Sequence, residues 1–351
     1  MLILEGASAR RVIGSQGDGA SHTMAAVTTA QRAGEITQLR APSGSWPDHR
    51  GAGRRAWMGE QDSAWEAARS RIALLESWLT SRSDAGARAW LSERSGVLAK
   101  GAPRRKLFMA FSGAVRRFPK AALALEKVEA RAAEVARPGW RPELWSAVDA
   151  ARAILLLSTA RGGAAELREL LDALCASADL GELVSIYRSL PILPFAAAHE
   201  ARCAEGIRTN MSSVFEAVAH ENPYPAERLA EGAWNQMVLK ALFCELQLAP
   251  IQGLEERANE ALANMLVDYA RERWAAARRV SPELWRCVAA RPTKGAIAGL
   301  ERALGGPDPR ERRGAALALR GRTAASLAKL AARYPIPLDE GLGWLELAEE
   351  P

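Results

Sequence analysis

From Trp65 onward, the apolar residues of this chain recur at steps of three and four, and that period leaves one fold class open. Trp65, Ala68, Ile72, Leu75 and Leu79 share one helical face, with Asp62 or Ser63 placed to cap it. Leu107, Phe108, Phe111, Val115 and Phe118 form a second stripe. A third helix is expected to open at Pro142, a favoured first-turn residue, and to run through Leu144, Val148, Ile154 and Leu157. Further helices are expected near 84–99, 120–136, 164–177, 179–190, 195–221, 225–248, 258–278 and 282–290. No stretch alternates with period two long enough to build a sheet, and the abundant alanine favours helix. The expected class is all-α, a solenoid-like stack of helical hairpins.

Residues 1–57 are of another kind. They carry glycine and proline clusters at Gly17-Asp18-Gly19, Pro42-Ser43-Gly44 and Gly51-Ala52-Gly53, and no sustained period. Such a segment buries too little apolar surface to offset its ordering entropy, so 1–57 reads as a disordered extension. Met58, followed at once by an amphipathic pattern, reads as an alternative start. Half of the chain's net charge of +6 lies in that extension, which leaves the remainder close to balanced and without a concentrated nucleic-acid footprint. The longest aliphatic block, Ile154-Leu155-Leu156-Leu157, is far too short to span a bilayer. Cys175, Cys203, Cys244 and Cys287 form no CxxC pair and read as buried free thiols of a cytoplasmic protein.

Toward the C-terminus, Asp308-Pro309-Arg310 precedes Arg313, Ala315-Ala316 and Leu317-Ala318-Leu319. An Asp cap, a first-turn Pro and small residues for close packing are HEAT-like features, assigned to residues 291–351. Pro142-Glu143-Leu144-Trp145 and Pro282-Glu283-Leu284-Trp285 repeat one tetrapeptide, either a duplicated helix start or coincidence.

The densest motifs are Asp179–Leu183, Tyr187–Pro191, Ala204–Met211, Asn222–Pro225, Ala233–Phe243, Asp268–Trp274 and Ser281–Trp285. In this order and number they resemble the EboA family of bacterial and algal proteins, and weaker similarity reaches back to about residue 60, giving an expected domain over 58–290. The resemblance implies a place in a small-molecule biosynthesis and export pathway. Members are encoded beside proteins resembling a membrane prenyltransferase, a metal hydrolase, a dehydroquinate-synthase-like enzyme and a sugar-isomerase-like enzyme. In some cyanobacteria the cluster is tied to delivery of a pigment precursor toward the periplasm. It implies no catalytic residues.

Candidate ligand contacts lie within this region. Arg208, Ser212, Glu216 and His220 follow at i+4 steps, with Glu205 beside Arg208. They read either as a solvated ion-pair face or as a polar wall where Arg208 grips an anion and His220 exchanges a proton. His220-Glu221-Asn222-Pro223-Tyr224-Pro225 is a stiff loop, and Asn222 is able to bond its own backbone. Asn235, Gln236 and Lys240 interrupt a helix that is apolar nearly all round. They read either as core groups satisfied by a neighbouring helix or as ligands converging with Arg208 and Asn210. His199 and Cys203 are one helical turn apart, too few for a zinc site, and no metal is expected. The basic residues Arg104, Arg105, Lys106, Arg116, Arg117 and Lys120 read as a water-facing side, with a membrane surface or phosphate as the rival.

No phosphate loop, dinucleotide fingerprint, HExxH helix or GxSxG elbow is present. The favoured reading is a non-enzymatic scaffold or binding protein, its partners the proteins of the same gene cluster, with no cofactor, nucleic acid or membrane span. The rival is an enzyme or carrier of an anionic small molecule, using Glu205, Arg208, Asn210, His220, Asn222, Tyr224, Asn235, Gln236 and Lys240.

Overall fold

The structure, a computed structural model, describes residues 49–349, with side chains described for 61–348. Most of the expectation for residues 1–57 therefore lies outside the described residues. From His49 the chain is helical, and the first helix, α1, runs His49–Leu79. Asp62 and Ser63 are inside α1 and not at its start. Gly51 and Gly53 each cost a helix only about 1 kcal/mol, and no proline follows to stop it.

The first half continues with α2 (Ala85–Leu98), α3 (Arg104–Gly113), α4 (Lys127–Ala136), α5 (Ala147–Leu157), α6 (Gly163–Cys175) and α7 (Leu180–Ser189). Next come α8 (Glu200–Arg208), α9 (Ser212–Ala219), α10 (Tyr224–Arg228), α11 (Glu231–Phe243) and α12 (Glu260–Ala275). The C-terminal helices are α13 (Leu284–Ala289), α14 (Lys294–Leu304), α15 (Pro309–Leu319), α16 (Ala325–Arg333) and α17 (Trp344–Glu349). No strand occurs among the described residues, so the fold is all-α.

Every residue of α5 is buried, and α1, α2, α3 and α7 pack around it. A helix this apolar, with no side turned to solvent, requires that enclosure. In a one-dimensional stack, by contrast, each hairpin touches only its neighbours. Trp78, Trp140 and Trp145 pack beside this centre, with successive ring centroids 5.3 and 5.7 Å apart.

Several expected helices are divided. Pro142–Leu144 is one turn of 3-10 helix, and α5 starts only after Ser146, whose hydroxyl accepts from the Asp149 amide while Asp149 accepts from that of Ser146. This reciprocal cap is the S-x-x-D signal that the proline obscured. Residues 120–126 are not helical: the Leu123 amide donates to the Trp145 carbonyl, and Arg82 donates to the Leu123 carbonyl at 2.5 Å and to that of Ala124 at 3.3 Å. The same guanidinium grips Glu129 through its two Nη nitrogens, at 2.6 and 2.8 Å, and so fastens the turn after α1 to α4. The 195–221 segment breaks at Thr209–Met211, and 225–248 breaks at Leu229–Ala230. At the second break Arg257 donates to the carbonyls of Ala226 and Leu229, at 2.6 and 2.8 Å.

Both copies of the repeated tetrapeptide bury their Trp, but one is a 3-10 turn with Leu144 exposed, and the other leads into α13 with Leu284 buried. The two copies therefore do not share one local structure. The Asp308 cap of α15 forms as expected, with its carboxylate accepting from the Arg310 amide at 2.9 Å. Gly314 lets α15 touch the Pro282 backbone, since a Cβ there would lie 2.5 Å from the Pro282 carbonyl oxygen. All four cysteines are free; Cys203 and Cys287 are buried, but Cys244 is exposed, because α11 ends at Phe243 and turns it outward.

Glu311 joins this C-terminal part to α12. Its carboxylate is buried and accepts from the Trp274 indole N–H at 3.1 Å, while Trp274 stacks on Trp285. Burial raises its pKa from 4.5 to about 7, against the opposing Trp274 hydrogen bond and with help from Asp308. The folded protein therefore binds this proton more tightly than the unfolded chain does. The resulting stabilisation is complete below about pH 4.5 and is lost as pH rises through about 7. Urea midpoints across this range, followed by tryptophan fluorescence, should show that decline, and Glu311→Gln should flatten it. An unchanged decline in the variant would contradict the assignment.

Candidate functional site

The structure scatters most of the residues that the sequence brings forward. Arg208 and Glu205 form an exposed i,i+3 ion pair, and Asn210 and Gln236 are exposed. The proposed stripe of Arg208, Ser212, Glu216 and His220 is not one helical face, because α8 ends at Arg208 and α9 begins at Ser212. Lys240 explains the break: its ammonium donates to the carbonyls of Ile207 and Thr209, at 2.8 and 2.5 Å, and lies 4.8 Å from the Phe215 ring centroid. A cation at the end of a helix satisfies open carbonyls and complements the dipole there.

Asn235 is buried and exchanges two hydrogen bonds with Asn259, at 3.1 and 2.9 Å, while Asn259 caps α12. Asn222 is saturated as well: its NH2 donates to the Tyr187 and Ala217 carbonyls, and its oxygen accepts from the Tyr224 amide. The Tyr224 hydroxyl donates to the Ala196 carbonyl, and burial raises its pKa. These side chains are fully used in holding helices together.

Of that set, His220 and Asn222 line one cleft of about 230 Å³. Arg141, Leu144 and Trp145 come from the approach to α5, Val184 and Arg188 from α7, and Ser213, Glu216 and Ala217 from α9. Glu221 completes the wall with a left-handed φ of 50°, its amide held by the Pro250 carbonyl at 3.0 Å. Arg141 lies 3.7 Å from the Glu221 carboxylate, whose pKa burial raises and Arg141 opposes. The His220 Nε2 pairs with the Gln247 carbonyl at 3.0 Å, and burial lowers the ring's pKa against that hydrogen bond and the charge of Glu216. Among the described residues, no hydrogen bond engages the side chains of Ser213 or Glu216.

Arg188 is the anchored cation of the cleft. It donates to Asp149 at 2.8 Å, and Asp149 is held in turn by the Ser146 amide and hydroxyl and by the Ser185 hydroxyl at 2.6 Å. Beside them the buried Arg152 donates to the Phe111 carbonyl and to Ser185, both at 3.2 Å, and lies 3.8 Å from Glu182. Burial lowers the Arg152 pKa, against the opposing pull of Glu182, Asp179 and Asp149. The α5–α7 interface thus carries a connected polar network. Arg188, Arg141 and this network lie outside the residues that spacing in the sequence singles out. The available signal was Asp149 and Arg152 at i and i+3 within an otherwise aliphatic helix.

No group of three or more His, Cys, Asp or Glu side chains is placed to hold a metal among the described residues. His199 and Cys203 are both fully buried, with the His199 Nε2 on the Pro194 carbonyl and the Cys203 thiol pushed up to about 12 by burial. Among the described residues, no helix is long and apolar enough to cross a membrane.

Fold and cleft together define an all-helical protein with a small amphiphilic recess and an anchored arginine on its wall. Residues 71–289 match the family described as metabolite traffic protein EboA, and the chain belongs to that family. No curated protein and no solved structure matches it.

Asn222 and Arg208 differ in what their side chains satisfy, and urea unfolding separates them. Asn222→Ala leaves the Ala217 carbonyl without a donor, the Tyr187 carbonyl with only the Leu190 amide and the Tyr224 amide without its acceptor, and should cost about 2–4 kcal/mol. Arg208→Ala removes an exposed pair and should change stability by less than about 1 kcal/mol. Similar costs for the two would contradict these assignments.

Proposed function

We propose that this EboA-family protein is a non-enzymatic binding protein of a small-molecule biosynthesis and export pathway. It holds the anionic head of an amphiphilic metabolite in the cleft between α7 and α9. The observation that carries this reading is the anchoring of Arg188: a guanidinium already fixed by Asp149 loses little freedom when it meets an anion. Arg141, 56% exposed beside Glu221, supplies a second cation at the rim. Leu144, Trp145, Val184 and Ala217 provide the apolar wall. The cleft's 230 Å³ is below the about 300–1,000 Å³ usual for a whole small-molecule site, which suits a head group better than an entire ligand.

The scaffold role is part of the same proposal. A protein that carries a metabolite between enzymes must also dock on them, and the C-terminal helices, stacked in a HEAT-like manner in the cytoplasm, offer such a surface. The enzymatic reading has one support, His220 and Glu216 together on the cleft wall.

Native mass spectrometry of the full chain purified from its own host tests the carrier. A retained small molecule is expected on the parent protein. Its occupancy should fall at least about tenfold in Arg141→Gln and in Leu144→Ser, two exposed positions whose replacement spares the core. Equal occupancy in parent and variants, or no bound molecule, would overturn the proposal.

A further inference from the structure

A second cleft, of about 320 Å³, lies where α12 meets the first turn of α15, and its lining includes Arg273, Arg279 and Arg310. Local structure brings the first two together. Just past the end of α12 the chain turns through Ala277 at a φ of 54°, and the Arg273 Nε then donates to the Arg279 carbonyl at 2.8 Å. Both Nη groups of Arg273 and the whole Arg279 guanidinium are left without a hydrogen-bond partner among the described residues. Arg310 enters from α15. Its Nη2 reaches the Leu347 and Ala348 carbonyls at 3.3 and 3.5 Å, but its Nε is buried with no partner among the described residues. A buried donor left unsatisfied is costly, so the Arg310 guanidinium keeps hydrogen-bonding capacity that the described residues do not use.

Among the described residues, carboxylates in the same cleft are not paired with these arginines. Asp308 caps α15, and Glu283 accepts from the amides of Leu248 and Ala249, at 2.9 and 2.5 Å. Glu245 is exposed, and no carboxylate pairs with any of the three arginines among the described residues.

We propose that this cleft binds the phosphate group of a phosphorylated small molecule, held by Arg273, Arg279 and Arg310. One planar fork suffices for a carboxylate. Three guanidinium groups suit a phosphate monoester, which brings three acceptor oxygens and about two negative charges. Residues 71–289, which match the family, include Arg273 and Arg279, whereas Arg310 lies beyond them. The C-terminal part therefore completes the site. This site is separate from the cleft at Arg188, and either assignment stands or falls alone.

Calorimetric titration of the full chain with inorganic phosphate, at constant ionic strength in chloride, is the test. Saturable one-to-one binding is expected. Arg279→Gln, at an exposed position, should weaken it about tenfold or more without moving the thermal midpoint of the phosphate-free protein. Arg208→Gln, an exposed ion-pair position that lines neither cleft, should leave it unchanged. Absence of saturable binding, or equal affinity in Arg279→Gln, would overturn the proposal. Capture on phosphatidate vesicles without binding of free phosphate would assign the arginines to a lipid surface and overturn it equally.

Discussion

Wherever the backbone leaves helical geometry inside a packed protein it leaves carbonyls in need of donors, and this chain supplies many of them from distant basic side chains. Arg82 serves Leu123 and Ala124, Lys240 serves Ile207 and Thr209, and Arg257 serves Ala226 and Leu229. Arg71 and Arg137 do the same for the turn after α7, donating to the Ile192 and Pro191 carbonyls at 2.8 and 2.9 Å. Each contact permits a break between short helices without stranding buried polar groups. Each also ties segments that lie far apart in the sequence. The closely spaced turns of α8 to α11 depend on these contacts.

The same accounting separates structure from function. A basic residue spent on carbonyls or on a buried acid is part of the frame, and Lys240, Arg257 and Arg152 belong there. Arg188 stands between the two groups, since the α5–α7 network holds it while it also lines the cleft. A network of this kind is costly to desolvate and stabilises only when its members are satisfied. Asp149 and Ser185 are satisfied by neighbours on both helices, so the register that buries α5 also sets the position of Arg188. In the proposed binding role, that cation is the group that meets the anionic head, in a recess formed in advance.

How much of this was legible in the sequence depended on distance along the chain. Local signals were readable: the periods of α2, α6, α7 and α12, the Asp308-Pro309 start of α15, and the turn in which Asn222 binds the amide two residues on. Breaks at 209–211 and 229–230 were not, because apolar periodicity continues across them and their donors lie about thirty residues away, at Lys240 and Arg257. Asn235 drew notice as a polar residue in an apolar helix, yet its partner Asn259 belongs to the next long helix. Spacing alone made a ligand wall of Arg208, Ser212, Glu216 and His220. The break between α8 and α9 removed it and left Glu216 and His220 in the cleft.

The dependence of the fold on side chains that cap distant carbonyls is tested most directly at Arg257. Its guanidinium donates to two carbonyls and lies 5.1 Å from the Trp234 ring centroid. Arg257→Met keeps much of the aliphatic stem and removes those donors. Urea unfolding should show a loss of about 2–4 kcal/mol, the scale of two charge-assisted hydrogen bonds at a half-buried site. A change within about 0.5 kcal/mol would show that the break between α10 and α11 holds without it, and would contradict the account.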